Sequence, residues 1–242
     1  MQLLILSDIH GNLTALEAVL ADVQARFSPD ALALLGDLID YGPRSDAVLS
    51  RIQQIPLPLC CNLWGNHEQA IMTETYTRFS SERGAVSAKY TRSQLSAESL
   101  AYLRQMPGKT GRTEFIYAGL KMLAVHAGPE DPFWKAASPA AIPSDCQTFD
   151  YVLSGHNHCA HAFSFFYPAE DPEMRNRRRT FFLNPGSVGQ PRNHDPRAQY
   201  AVLDTERGVS LCAVPYDIAA EQRLYNTDAT DPFYRDRLTK GV

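Results

Sequence analysis

An α/β layered fold is what this chain predicts, on three observations. Short apolar runs in its first half each end in a polar loop, and amphipathic stretches follow some of them. Short strand-like runs then dominate the second half. No Gly-, Ser- or Pro-rich linker separates the halves, so residues 1–242 read as one domain.

Met1 to Leu6 is continuously apolar, as in a strand buried on both faces. The chain then turns through Ser7-Asp8-Ile9-His10-Gly11-Asn12. Leu13, Leu16, Val19, Leu20 and Val23 follow at helical spacing, with Asn12 placed to cap them. Ala31 to Leu35 is a second strand, ended by Gly36-Asp37, and Ala47 to Ile52 a second helix. Leu57 to Leu63 reads as a third strand, ended by Gly65-Asn66-His67. Residues 68–106 look helical, with Leu95, Leu100 and Leu103 as apolar contacts. Strands are then expected at Thr113–Tyr117, Met122–Val125, Tyr151–Leu153, Phe163–Tyr167, Thr180–Leu183, Tyr200–Asp204 and Val209–Val214. Four prolines between Pro129 and Pro143 mark a long surface loop.

A chain of 242 residues buries roughly 70–75% of its unfolded surface and needs no covalent staples. Lys plus Arg number 23 against 27 Asp plus Glu, a net charge of −4, which argues against a general nucleic-acid binder. Five cysteines with no CxxC pair argue against a disulfide framework or four-cysteine zinc site, and suit the cytoplasm. Leu3 to Leu6, the longest N-terminal apolar run, is too short for a signal or membrane segment.

Five segments that follow apolar runs end in candidate metal ligands: Asp8-Ile9-His10, Gly36-Asp37-Leu38-Ile39-Asp40, Gly65-Asn66-His67-Glu68, Val125-His126-Ala127-Gly128 and Gly155-His156-Asn157-His158. In the first and last the candidates stand two apart, and extended backbone would place them on one side, about 6.5–7 Å apart. Gly36, Gly65 and Gly155 permit tight turns and close backbone approach where strands stop. Taken singly, Asp-x-His and Gly-Asp-x-x-Asp are mostly turns and caps, and His126 a core histidine. Their joint order defeats that reading. Imidazole with carboxylate and amide oxygen suits Mn²⁺, Fe, Zn²⁺ or Ni²⁺, with manganese foremost.

These blocks, D-x-H, G-D-x-x-D, G-N-H-E, an isolated H and G-H-x-H, resemble the calcineurin-like metallophosphoesterases. Asn184-Pro185-Gly186-Ser187-Val188-Gly189-Gln190-Pro191-Arg192 is similar to the small bacterial and archaeal phosphodiesterase branch. The resemblance implies a four-layer β-sandwich of two facing sheets flanked by helices, with two divalent metal ions at one edge. One ion would be held by Asp8, His10, Asp37 and His158, the other by Asp37, Asn66, His126 and His156. A hydroxide bridging them would attack a phosphate mono- or diester in line. His67 would serve the leaving oxygen or the phosphoryl charge, with Asp40 orienting it.

Trp64 stands where the protein-phosphatase branch has a phosphate-clamping arginine, which disfavours that activity. It either stacks on a nucleobase or packs beneath the loop. Arg192 is placed to reach a substrate phosphate or to form a structural ion pair. Arg175, Arg177, Arg178 and Arg179, with Glu170, Asp171 and Glu173 beside them, read as a self-compensating hairpin tip, a polyphosphate contact being the alternative. The implied substrate is a small phosphoester or a nucleotide. A dinucleoside polyphosphate hydrolase is the alternative activity. An inert scaffold of the same fold is the alternative class, although such scaffolds typically lose the histidine that His67 retains.

Overall fold

The computed structural model describes all 242 residues. Two five-stranded mixed sheets pack face to face, each with parallel strands at its centre. The first has the order β10(Gly208–Val214)-β9(Ala198–Asp204)-β1(Gln2–Leu6)-β2(Ala31–Leu34)-β3(Leu59–Asn62). Here β1, β2 and β3 run parallel, and β9 is antiparallel to both β1 and β10. The second has the order β4(Arg112–Tyr117)-β5(Leu120–Val125)-β6(Tyr151–Leu153)-β8(Arg177–Asn184)-β7(His161–Pro168), with β5, β6 and β8 parallel and antiparallel strands at both edges.

The continuous apolar character of β1 follows from burial of both its faces. Leu3 and Ile5 enter the core between the sheets, where they join Leu203 of β9, Met122 of β5 and Leu183 of β8. Leu4 and Leu6 face the other way, into a core shared with the helices. There α1(Leu13–Arg26) buries Ala15, Leu16, Val19 and Val23, and its N-cap Asn12 accepts a hydrogen bond from the Ala15 amide at 3.0 Å. Beside α1 lie α2(Ser45–Gln53), α3(Asn66–Thr73), α4(Glu82–Gln94) and α5(Ala97–Gln105). The outer face of the second sheet has a thinner cover, a 3₁₀ turn at Ser144–Thr148 that buries Cys146 against Leu123, Val152 and Phe182.

The helical stretch expected over 68–106 is three helices. Glu74, at φ 55°, ends α3, Ser81 caps α4, and Leu95 turns extended so that Ser96 can cap α5. The strand expected from Leu57 starts at Leu59, after Pro58, which has no amide proton to give a ladder. Arg175 and Asn176 form the tip of the β7–β8 hairpin at φ 53° and 57°. Arg178 pairs with Asp150 across the neighbouring turn, not with Glu170, Asp171 or Glu173. After β10, α6(Ile218–Gln222) and α7(Phe233–Asp236) return to the site edge: Arg44 is paired to Glu221, and Tyr234 stacks on Tyr41 at 4.3 Å.

Six parallel strands, β1, β2, β3, β5, β6 and β8, deliver their carboxyl ends to one edge of the sandwich. The loops leaving them continue to pair. His10 donates its amide to Asp37 O, Gly155 to His126 O, and Gly189 to Asp8 O, which ties the two sheets together at that edge.

Candidate metal centre and active site

The candidate side chains stand on these exit loops or, for Asn66 and His67, in the first turn of α3, which follows one of them. The i, i+2 pairs do not lie on extended backbone as the spacing suggested. Asp8 and His10 have φ 53° and 48°, His156 and His158 φ 68° and 59°, all left-handed. Asp37 at 52° and Asp40 at 71° share that conformation. Such residues turn sharply enough to aim neighbouring side chains at one point, at a cost in backbone energy that the loop pairing offsets. Gly155 shows how close the packing is: a Cβ there would stand 1.9 Å from Ser7 Oγ and 2.7 Å from Asp8 Oδ2.

The donor atoms fall into two groups. Asp8, His10, Asp37 and His158 form one, and Asp37, His126 and His156 the other, each group's atoms lying within 4.8 Å of one another. Asp37 Oδ2 belongs to both, 3.7 Å from His10 Nε2 and 3.3 Å from His126 Nε2. Its other oxygen accepts the His67 amide at 2.9 Å, so the N-terminus of α3 fixes the carboxylate. Asn66 Oδ1 completes the second group, 2.9 Å from His156 Nδ1 and 3.0 Å from His126 Nε2.

This donor set fits divalent ions. His10 Nε2 and His158 Nε2 face each other at 3.2 Å, while their Nδ1 atoms meet Ile39 O and Gln190 O. A carbonyl only accepts, so each Nδ1 carries the proton and each Nε2 presents a lone pair to the other. Asp8 Oδ1 is buried with no hydrogen-bond donor, because Ser7 Oγ and the His156 amide serve Oδ2. Burial drives His10 and His158 well below the usual histidine range, with Arg192 adding to the effect, and neutral rings are what a cation requires. Donors about 2.0–2.2 Å from one ion stand about 3 Å apart, close to the separations seen here.

His67 faces the same corner, its Nε2 3.9 Å from Asp37 Oδ2. Its Nδ1 meets Asp40 Oδ2 at 2.6 Å, and Asp40 Oδ1 accepts from Ser87 and Thr91 at 2.7 and 2.8 Å. Burial opposes a charged His67 ring, yet Tyr41, Asp37 and Asp40 outweigh it and push the pKa up to about 10. Glu68, fully buried, accepts from the amides of Asp37, Leu38, Ile39 and Gly65 at 2.7–3.2 Å, binding the second and third loops together. Ser87 and Thr91, one helical turn apart, are residues sequence reasoning missed; their i, i+4 spacing was the available signal.

A cavity of about 360 Å³ opens over the cluster, lined by Asp37, Asn66, His67, His156, His158 and Arg192, with Tyr41, Arg78, Phe79 and Trp134 at its rim. Arg192 thus lines this cavity and forms no ion pair with Asp or Glu. Trp64 takes the packed one of its two readings and not a substrate-contacting place: it lies in the helix-side core and donates its indole N–H to Leu103 O, because the chain turns inward after β3. Trp134, from the proline-rich loop, supplies the aromatic rim, with Arg78 over its ring at 5.1 Å. No helix is long and apolar enough to cross a membrane.

The solved structure of a metallophosphoesterase from Sphaerobacter thermophilus superposes with TM-score 0.73 at 29% identity, covering 100% of this chain and 99% of that one. Phosphodiesterase YfcE of Escherichia coli is 26% identical over 85% of this chain and 89% of its own length. A symmetrical bis(5'-nucleosyl)-tetraphosphatase of Delftia acidovorans is 30% identical over 60% of this chain, which spans 50% of that protein. The family model of the calcineurin-like phosphoesterase superfamily domain matches residues 1–208, and the chain belongs to that superfamily.

Proposed function

We propose that the protein hydrolyses phosphate mono- or diesters with two divalent metal ions, residues 1–242 acting as one domain. The observation that carries this reading is Asp37 Oδ2, common to both donor groups and adjacent to the His67–Asp40 pair. Asp8, His10 and His158 would hold one ion with Asp37, and Asn66, His126 and His156 the other; manganese suits these donors, as do iron, zinc and nickel. The bound ions supply Lewis acidity to phosphate oxygens and lower the pKa of water. His67, with Asp40 holding its Nδ1–H, would donate from Nε2 to the leaving oxygen. Arg192 offsets charge on the phosphate oxygens. The phosphodiesterase relative supports this reading.

A second reading is a dinucleoside polyphosphate hydrolase, favoured by the aromatic rim of Trp134 and Phe79 and by the tetraphosphatase relative. Protein reconstituted with Mn²⁺, Fe²⁺, Zn²⁺ or Ni²⁺ and assayed on nitrophenyl esters, cyclic nucleotides and diadenosine tetraphosphate tests both. Metal-dependent turnover is expected, and a faster rate on the tetraphosphate selects the second reading. Stoichiometric metal with no hydrolysis of any member would leave the inert scaffold standing.

A further inference from the structure

Three arginines away from the hairpin tip, Arg83, Arg192 and Arg237, cluster near the metal-site cavity with no Asp or Glu partner, whereas Arg78 at its rim is paired to Asp131. Arg192 Nη2 and Arg237 Nη1 both donate to Gln190 Oε1, at 3.3 and 3.2 Å. Two guanidinium groups thus meet on one neutral oxygen. Arg237 also donates through Nε to Val242 O, and its guanidinium lies 4.7 Å from the Phe233 ring, with Arg83 at 4.3 Å from the same ring. None of the three arginines forms an ion pair with Asp or Glu. Burial and the charge of Arg192 hold Arg237 down to about 10. Two donors here are buried without acceptors, Arg192 Nε and Gln190 Nε2, and Gln190 is only 1% exposed. Its amide orientation is fixed, because Oε1 already serves both arginines.

Buried donors and uncompensated cations are costly unless an anion completes them. Arg192 lines the cavity over the metal cluster, so an anion bound to it would lie next to the scissile group. We propose that Arg192, Arg237 and Gln190 form a subsite for a second phosphate, joined to the scissile one by an anhydride link. The substrate class is then a phosphoanhydride chain, as in nucleoside polyphosphates, not a lone phosphoester. This deepens the hydrolase reading and rests on it for the identity of the scissile group. Arg237 lies outside the family-matched residues 1–208, so one of the three subsite residues comes from beyond the matched segment.

Calorimetric titration of the metal-loaded protein with inorganic pyrophosphate and with orthophosphate tests the subsite apart from catalysis. Wild-type protein is expected to prefer pyrophosphate by at least about tenfold, the size of one charge-assisted contact. Arg237→Gln should bring the two affinities within about threefold, and Arg237→Lys should keep part of the preference. If Arg237→Gln melts early, Arg192→Gln carries the same expectation. In parallel, Arg237→Gln should lower kcat/KM for diadenosine tetraphosphate at least about tenfold more than for bis(4-nitrophenyl) phosphate. Equal binding of the two anions by wild type, or a preference that survives both glutamine variants, overturns the subsite even if esters are hydrolysed. A preference lost in the variants without any ester hydrolysis upholds the subsite and overturns the hydrolase reading.

Discussion

Asp37 is asked to do two jobs with one carboxylate: Oδ1 takes the His67 amide and Oδ2 stands between the donor groups. Asp37→Asn keeps the shape and removes the charge. It should empty both positions, so that metal analysis after dialysis finds under half the wild-type content and turnover falls at least about 10²-fold. Near-full metal content would show that Asp37 does not bridge. His67→Ala should keep the metals and slow turnover by about 10²–10⁴ on alkyl esters. Nitrophenyl esters, whose leaving group needs no proton, should suffer far less; an equal loss would assign His67 to the phosphoryl charge instead. The sequence disclosed these residues through order and spacing, yet not their conformation. Left-handed backbone at Asp8, His10, His156 and His158 is sustained by long-range pairing between exit loops, which no local pattern records. The choice between the two readings of Trp64 stayed open for the same reason, since the direction of a chain after a strand is settled by what it packs on.

At the level of elements, the site is an assembly of strand ends locked to helix starts. Glu68, in the first turn of α3, accepts two amides from the 65/37 side on Oε2 and two from Leu38 and Ile39 on Oε1. Glu68→Gln keeps one acceptor oxygen and turns an NH₂ toward amides that can only donate. Each buried amide left unsatisfied costs about 1–3 kcal/mol, so the variant should melt several degrees lower and bind metal more weakly. An unchanged melting temperature would show that the loops hold their shape without it. The motif G-N-H-E gave the glutamate's position but not its use, because its partners at 37–39 are distant in sequence. The helices and most strands were legible from apolar runs and caps. Residues 215–242 were not, since short, aromatic-rich turns carry no period, and they prove to back the site's rim where Tyr234 stacks on Tyr41.

For the molecule as a whole, the layered arrangement was legible as a class, but the pairing of two sheets over a common edge requires contacts far apart in sequence. That burial divides the histidines and gives the metal-free protein a characteristic pH dependence. His10, His156 and His158 are held below the ordinary range, His156 at about 3, by burial first and neighbouring cations second. Below the unfolded pKa of about 6.5 the unfolded chain binds three protons that these rings refuse, so stability falls as pH falls. His67 and His126 are shifted the other way: burial opposes their charge, but Asp37 and neighbouring polar groups raise them to about 10 and about 9. Their contribution is fully present below about 6.5 and is lost as pH rises through 9 and 10. Asp8, lifted by burial to about 6, and Glu68, lifted to about 7, each offset one proton on the acid side. The excess of three over two leaves the slope positive there. The melting temperature of chelator-treated protein should therefore peak near pH 6.5 and decline on both sides, by about 1 kcal/mol of stability per pH unit towards acid and about 3 kcal/mol per unit towards alkali. Divalent ions should raise the whole curve and most of all its neutral and alkaline part, because bound cations require the neutral rings and ionised carboxylates that acid removes. A metal-free curve flat from pH 5 to 9 would mean that the histidines titrate as they do in the unfolded chain, and that the cluster is open to water.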